Sequence, residues 1–214
     1  MDYRTFGLKR KLTGDGSLEV ALSDKVRIAG GGGIVAVDAY QAIPKQLTAP
    51  FGFTNIVFSP NSSTRFQANY SRHAFSNDVV RNRAGVDFMR MLVVESSMKF
   101  KAGWRSNVML HNEQTRDFFS PKTFQSHLAV AQAYGRITSW LDYWGEIATG
   151  WQLEPDTPAL HPLQLNASLT WHPSRHWRTI LDIGRSTSSL DRVIPGQQAY
   201  SRWAAGARME FRFP

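Results

Sequence analysis

Along most of the chain apolar and polar residues alternate one by one, the period of a β-strand whose successive side chains leave on opposite faces. From Met98 to Leu110 the even positions read Met98, Phe100, Ala102, Trp104, Ser106, Val108 and Leu110, against Lys99, Lys101, Gly103, Arg105 and Asn107 at the odd ones. From Leu163 to His172 the apolar set is Leu163, Leu165, Ala167, Leu169 and Trp171, and the polar set is Gln164, Asn166, Ser168, Thr170 and His172. Phe66, Ala68 and Tyr70 alternate with Arg65, Gln67, Asn69 and Ser71 in the same way. The pattern predicts strands at 2–12, 17–23, 25–37, 50–59, 63–75, 79–93, 97–111, 123–135, 139–153, 162–173, 176–187 and 199–213, about twelve in all. Two stretches interrupt it. Gly30-Gly31-Gly32-Gly33 is poor strand material unless it marks a bulge, a bend or a close backbone approach. Within 79–93 Arg90 would share a face with Val86, Phe88 and Leu92, and the run Phe88–Val94 would also suit a buried helix.

The connections fall into two classes that alternate along the chain. Ser23-Asp24-Lys25, Pro60–Ser63, Glu95-Ser96-Ser97, Gly135–Thr138 and Pro173-Ser174-Arg175 are short, whereas the segments around 41–50, 73–78, 112–122, 153–161 and 188–198 are longer. A short hairpin at Gly14-Asp15-Gly16 is the exception. Short turns at one end and long loops at the other are the mark of outer-membrane barrels. The expected fold is therefore all-β, a single transmembrane antiparallel up-and-down β-barrel over 1–214, with short periplasmic turns, longer extracellular loops and both termini in the periplasm.

Composition agrees with a barrel and excludes a helical membrane protein. Aromatics make up 12% of the chain, yet mean hydropathy is -0.33, and no apolar run approaches the roughly 18 residues of a spanning helix. With no cysteine there is neither a disulfide framework nor a thiolate metal site. Lys9, Arg10 and Lys11 are not followed by an apolar stretch, so no signal peptide is read here. The chain is expected to be the mature part, or a fragment, of a longer outer-membrane protein. A net charge of +8 invites nucleic acid, acidic lipid or an acidic substrate. Arginine is scattered along the whole chain rather than clustered, so no nucleic-acid partner is expected.

If the apolar set faces lipid, the wall includes Phe66, Tyr70, Phe100, Trp104, Leu165, Leu169, Trp171, Trp203, Phe211 and Phe213. The alternate set then lines the interior: Arg65, Arg83, Lys99, Lys101, Arg105, Arg178, Arg202, Arg208 and Arg212, opposed by Asp87, Asp142, Glu146, Asp182 and Glu210. Rings of Arg and Lys favour anions, because a fixed guanidinium attracts carboxylate or phosphate groups in passage. Trp144, on the same side, offers a ring on which a sugar can stack. The competing reading is that the charges pair across a small plugged barrel that serves as an anchor or assembly partner. Arginines at the rims would meet lipopolysaccharide phosphates.

Catalytic chemistry is poorly supported. Outer-membrane lipid hydrolases use a lipid-facing Ser activated by a nearby His, and His73 and Ser76 are close in sequence, but three residues apart they point to opposite faces. The other histidines show no metal-ligand spacing, no glycine-rich phosphate loop precedes a helix, and no cofactor is expected. Asp142 and Glu146 share a face without an identifiable cleft.

Two segments carry a family likeness. The last strand alternates Trp203, Ala205, Ala207, Met209, Phe211 and Phe213 with polar residues, and this resembles the signal by which the barrel-assembly machinery recognises outer-membrane proteins, although Pro214 follows the terminal Phe. Arg116-Asp117-Phe118-Phe119-Ser120-Pro121-Lys122-Thr123-Phe124, with Trp144–Gln152 after it, resembles the C-terminal barrels of outer-membrane exopolysaccharide exporters of the cellulose and poly-N-acetylglucosamine type. The resemblance implies a non-enzymatic channel for export or diffusion of a polysaccharide, with periplasmic export partners. Members carry tetratricopeptide repeats and several have sixteen strands, and this chain departs from them in both respects.

Overall fold

A computed structural model describes residues 2–6, 9–37, 42, 45–155, 157–174, 176–187 and 202–211. They form β1 (Asp2–Phe6), β2 (Lys9–Ala21), β3 (Val26–Ala36), β4 (Thr48–Asn61), β5 (Thr64–Ala74), β6 (Val80–Val94), β7 (Met98–His111), β8 (Thr123–Thr138), β9 (Leu141–Leu153), β10 (Leu163–Trp171), β11 (Trp177–Ser186) and β12 (Arg202–Phe211). Each strand pairs antiparallel with its neighbour in sequence, an up-and-down meander in one twelve-stranded sheet. Among the described residues no ladder joins β1 to β12.

Cross-strand register fixes which side chains share a face. Gln67 is opposite Asp87, Asp87 opposite Arg105, Arg105 opposite Leu128 and Leu128 opposite Gly150. This is the inner face, because Phe124, Ser126, Leu128 and Gln152 on it are almost wholly covered. The other face leaves Ile56, Phe58, Phe66, Val86, Ile147, Leu169, Leu181, Ile183 and Phe211 exposed. That is far more contiguous apolar surface than a water-soluble protein leaves open, and it is what hydrocarbon requires. Strands β3 to β11 run 9 to 16 residues, against about 9–11 for a tilted span.

The sequence expectation fails at one hairpin. Gly14, Asp15 and Gly16 do not turn but continue β2, where they pair with Ile34, Gly33 and Gly32. Two glycine-rich segments lie against each other here. A Cβ on Gly31 would land on the Gly16 carbonyl oxygen, and one on Gly33 on that of Gly14. The glycines permit close backbone approach, so the run at 30–33 is part of a strand. The blurred alternation in 79–93 has a different cause: β6 is a strand throughout, and a register shift between Met91 and Val93 adds a residue and swaps the faces beyond it.

Candidate functional site

Three layers can be followed down the interior. At mid-height, Arg105 on β7 donates from Nε to Asp87 Oδ1 at 2.8 Å and from its two terminal nitrogens to both Glu146 oxygens at 3.3 and 3.2 Å. Gln132 completes the group, donating to Glu146 at 2.7 Å. Arg105 is opposite Leu128 and Glu146 opposite Gln132, so the ionic bridge crosses β8 above Val130. Beneath it Leu128, Val130 and Ala148 pack with Met89. The interior wall is thus less polar than strict alternation indicates.

Toward the short turns the interior opens into a cavity of about 510 Å³ lined by Arg27, Arg65, Gln67, Lys101 and Arg105 and by the Ser59–Thr64 turn region. Asp87 is the one carboxylate among its described lining residues, and Arg105 already holds it. Arg65 donates to Gln67 at 2.9 Å, and Arg27 lies 3.6 Å from Glu19, both exposed. The ammonium groups of Lys99 and Lys101 stand 5.9 and 4.8 Å from the Tyr134 ring, a cation–π arrangement. Tyr134 is opposite Trp144, whose ring is partly exposed to the interior. Two lysines and two aromatic rings therefore share one band of wall.

On the β9–β12 side Asp142 and Glu210 are the paired carboxylates. Asp142 accepts from Arg136 at 3.2 Å and meets His172 Nε2 at 2.8 Å. Glu210 holds Arg178 at 2.6 Å and Arg208 at 3.2 Å. Arg83, on β6, donates instead to the neutral side chain of Asn107 on β7 at 3.1 Å. Arg202 is opposite Ser186 in the ladder, while Arg212 and Phe213 lie outside the described residues. The register places Phe66, Tyr70, Phe100, Trp104, Leu165, Leu169, Trp171, Trp203 and Phe211 on the outer face. Arg27 and Tyr134 belong to the lining as well; counting by twos along the odd positions of β3 and the even positions of β8 would have found them.

At the other end three of the loops pack against one another over the inner face. Ala42 and Leu47 from the β3–β4 loop, Ala49 at the start of β4, Phe75 and Val79 from the β5–β6 turn, and Phe118 from the β7–β8 loop form one buried cluster. Phe118 stacks on Phe75 with centroids 4.3 Å apart, and Phe53, Phe51, His73 and Phe75 continue the stack down the wall at 6.3, 5.3 and 6.2 Å. A polar latch spans the same three loops: Lys45 Nζ lies 2.6 Å from Asp117 Oδ1, and Asn77 donates to Asp117 Oδ2 at 3.2 Å. The Lys45 hydrogen bond holds the Asp117 carboxyl below its ordinary range. Ser120 accepts from the Thr115 amide at 2.8 Å, and His111 Nδ1 donates to the Pro121 carbonyl at 2.8 Å. The segment that carried the exporter likeness is this inward-folded loop.

His73 and Ser76 do not meet: Ser76 Oγ accepts the Thr48 amide at 3.2 Å, and His73 sits between Phe51 and Phe75. The Ser–His contact that exists is elsewhere. Ser106 and His127 are opposite one another on the outer face, Oγ to Nδ1 at 2.7 Å, with Trp104 Nε1 donating to the same hydroxyl at 3.1 Å. Residues 21 apart in sequence meet only through register, so no local motif announces them. Among the described residues no group of His, Asp and Glu could hold a metal ion.

No protein-family profile and no curated protein matches the chain. Among solved structures it superposes on a bacterial polysaccharide outer membrane secretin with a TM-score of 0.87 at 12% identity, over 99% of this chain and 73% of that one. The translocator domain of the autotransporter NalP from Neisseria meningitidis also matches, with a TM-score of 0.46 at 9% identity over 94% and 79% of the two chains. At such identity the secretin likeness speaks for the fold: the chain has the architecture of an outer-membrane β-barrel.

Proposed function

We propose that the protein is an outer-membrane channel for an anionic polysaccharide or oligosaccharide, which enters at the short-turn, periplasmic end and leaves through the loop end. The observation that carries this reading is the cavity of about 510 Å³ faced by Arg27, which is near Glu19, and by Arg65 and Lys101, which have no carboxylate partner among the described residues, while the lining carboxylate is already committed to Arg105. Such a surplus of fixed positive charge draws anions and repels cations. The Tyr134–Trp144 band adds flat rings on which sugars stack. β12 would engage the barrel-assembly machinery, and Arg72, exposed on the outer face near the loop end, would meet lipopolysaccharide phosphate. The test is the reversal potential across a planar bilayer under a salt gradient. Wild type is expected on the anion side, and Arg65→Glu with Lys101→Glu should carry it toward cations. A reversal potential indifferent to both substitutions rejects the reading. Because the chain has no cysteine, Glu113→Cys and Ser62→Cys report orientation: an impermeant maleimide on intact cells should reach the first and spare the second.

The Ser106–His127 contact favours a second reading, a hydrolase acting on membrane lipid. A serine hydroxyl donating to an imidazole is the start of a nucleophile, but among the described residues no carboxylate or amide orients the other ring nitrogen. Phospholipid hydrolysis abolished by Ser106→Ala would establish it.

A further inference from the structure

Just beneath the loop closure, register sets three basic side chains in a row. His73 on β5 is opposite Arg81 on β6, and Arg81 is opposite His111 on β7, all on the inner face. Arg83 lies on the next row of the same face and is exposed to the interior. Each member of the row buries a nitrogen that has no hydrogen-bond partner: His73 Nδ1, Arg81 Nε and His111 Nε2. An unsatisfied buried polar group costs about 1–3 kcal/mol, and more when charged. One orphan is a local accident; three on adjacent strands at one level share a cause.

The surroundings exclude most occupants. Arg81 lies over the Phe75 ring at 5.2 Å and Arg83 donates to the Asn107 amide oxygen at 3.1 Å, both neutral partners. The carboxylate further down the same strand, Asp87, is bound to Arg105. A metal cation would be repelled by two guanidinium groups. A neutral sugar hydroxyl could accept from Arg81 but would leave both charges uncompensated away from bulk water. An oxyanion meets every requirement. It accepts from guanidinium N–H groups in charge-assisted hydrogen bonds, and beside it the neutral His73 imidazole, as its Nδ1–H tautomer, presents that nitrogen as a donor.

We propose that the His73–Arg81–His111 row, with Arg83, is a binding site for an oxyanion, a carboxylate, sulfate or phosphate group, placed inside the lumen directly under the loop closure. Only the source of the anion rests on the channel reading, which would supply it as a charged group of the passing polymer; a free inorganic anion has the same chemistry.

The full chain, folded in detergent micelles with 15N-labelled histidine, is titrated with sodium sulfate and separately with an oligoglucuronate. The imidazole resonances of His73 and His111, assigned with His73→Gln and His111→Gln, should move and saturate, while those of His172 and His176 at the opposite end stay still. Arg81→Gln should raise the half-saturating concentration by about tenfold or more, with partial recovery in Arg81→Lys. Should Arg81→Gln not fold, Arg83→Gln is the second variant and should weaken binding in the same sense. Absence of any shift overturns the site, as does a folded Arg81→Gln that saturates like wild type, or loss of the shift in Arg65→Gln/Lys101→Gln with Arg81→Gln unaffected. Saturation by oligoglucuronate at lower concentration than sulfate assigns the polymer as source, and response to sulfate alone assigns a free anion. Histidine shifts in a protein without anion preference in the bilayer would sink the channel reading and leave the site standing.

Discussion

At the short-turn end Arg27, Arg65 and Lys101 face an open cavity; at the loop end Leu47, Phe75, Val79 and Phe118 exclude water, with Phe118 only 5% exposed. The same strands build both ends. β5 contributes Arg65 and Gln67 to one and His73 to the other, β4 contributes Val57 and Asn55 below and Phe53 and Phe51 above. Identical backbone geometry therefore presents two chemistries, and what differs is the residue type at inner positions and whether loops return to cover them. Charge sits where water can solvate it, and aromatic surface sits where three loops converge. The division separates a basic, water-filled end from an apolar, loop-covered one.

Phe118→Ala strikes the dry end hardest. It removes the side chain shared by the loop cluster and the aromatic stack, at a cost of about 3–5 kcal/mol. The expected outcome is rapid tryptic cleavage after Arg116 and Lys122 with the β-sheet circular dichroism unchanged; an equally resistant loop would mean that the cluster does not hold the mouth shut. Leu169→Arg tests what both ends share, the lipid-facing wall. A cationic side chain against hydrocarbon near the midplane costs about 2–4 kcal/mol, so insertion into vesicles should fail or slow, and normal insertion would place Leu169 elsewhere.

Asp117→Ala has a smaller effect, about 1–2 kcal/mol, because Lys45 is exposed and water screens the pair. The sign with pH follows from the lowered carboxyl. A carboxylate whose folded-state value is depressed contributes above its ordinary range and loses that contribution as pH falls through the depressed value. The thermal stability that the latch contributes should therefore be flat from about pH 8 to 5 and fall only in strong acid, below about pH 4, and the difference in melting temperature between wild type and Asp117→Ala should vanish there. Lys101→Glu perturbs least. At a water-facing position its stability change should stay within about 0.5 kcal/mol, while its effect on ion selectivity fades as salt shortens the screening length; a large drop in thermal stability would show that Lys101 is needed for the Tyr134 contact rather than for passage.

How far the sequence carried the fold is clear from particular residues. Parity alone separates Phe66, Trp104 and Leu169 from Arg65, Arg105 and Ser168, because a strand offers two faces and hydrocarbon tolerates one kind of residue. Glycine misled where it did two jobs: Gly14 and Gly16 have turn composition, but their partners are Ile34 and Gly32, neighbours that only long-range register reveals. The extra residue at Met91–Val93 blurred alternation without ending the strand. The sequence marked out Arg116–Phe124 as a motif without its place in the fold, since the cluster there depends on Lys45 from the β3–β4 loop and on Phe75 and Asn77 from the β5–β6 turn. The Arg105–Glu146 bridge and the Ser106–His127 contact were invisible for the same reason.

The central claim is a lumen selective at one end and closed by loops at the other, and single-channel recording of wild type beside Phe118→Ala in one planar bilayer under a salt gradient tests it most directly. Wild type should open rarely and to low conductance, Phe118→Ala often and to higher conductance, with both reversal potentials on the anion side. A Phe118→Ala protein that is folded, inserted and still silent, or one that conducts with cation preference, would contradict it.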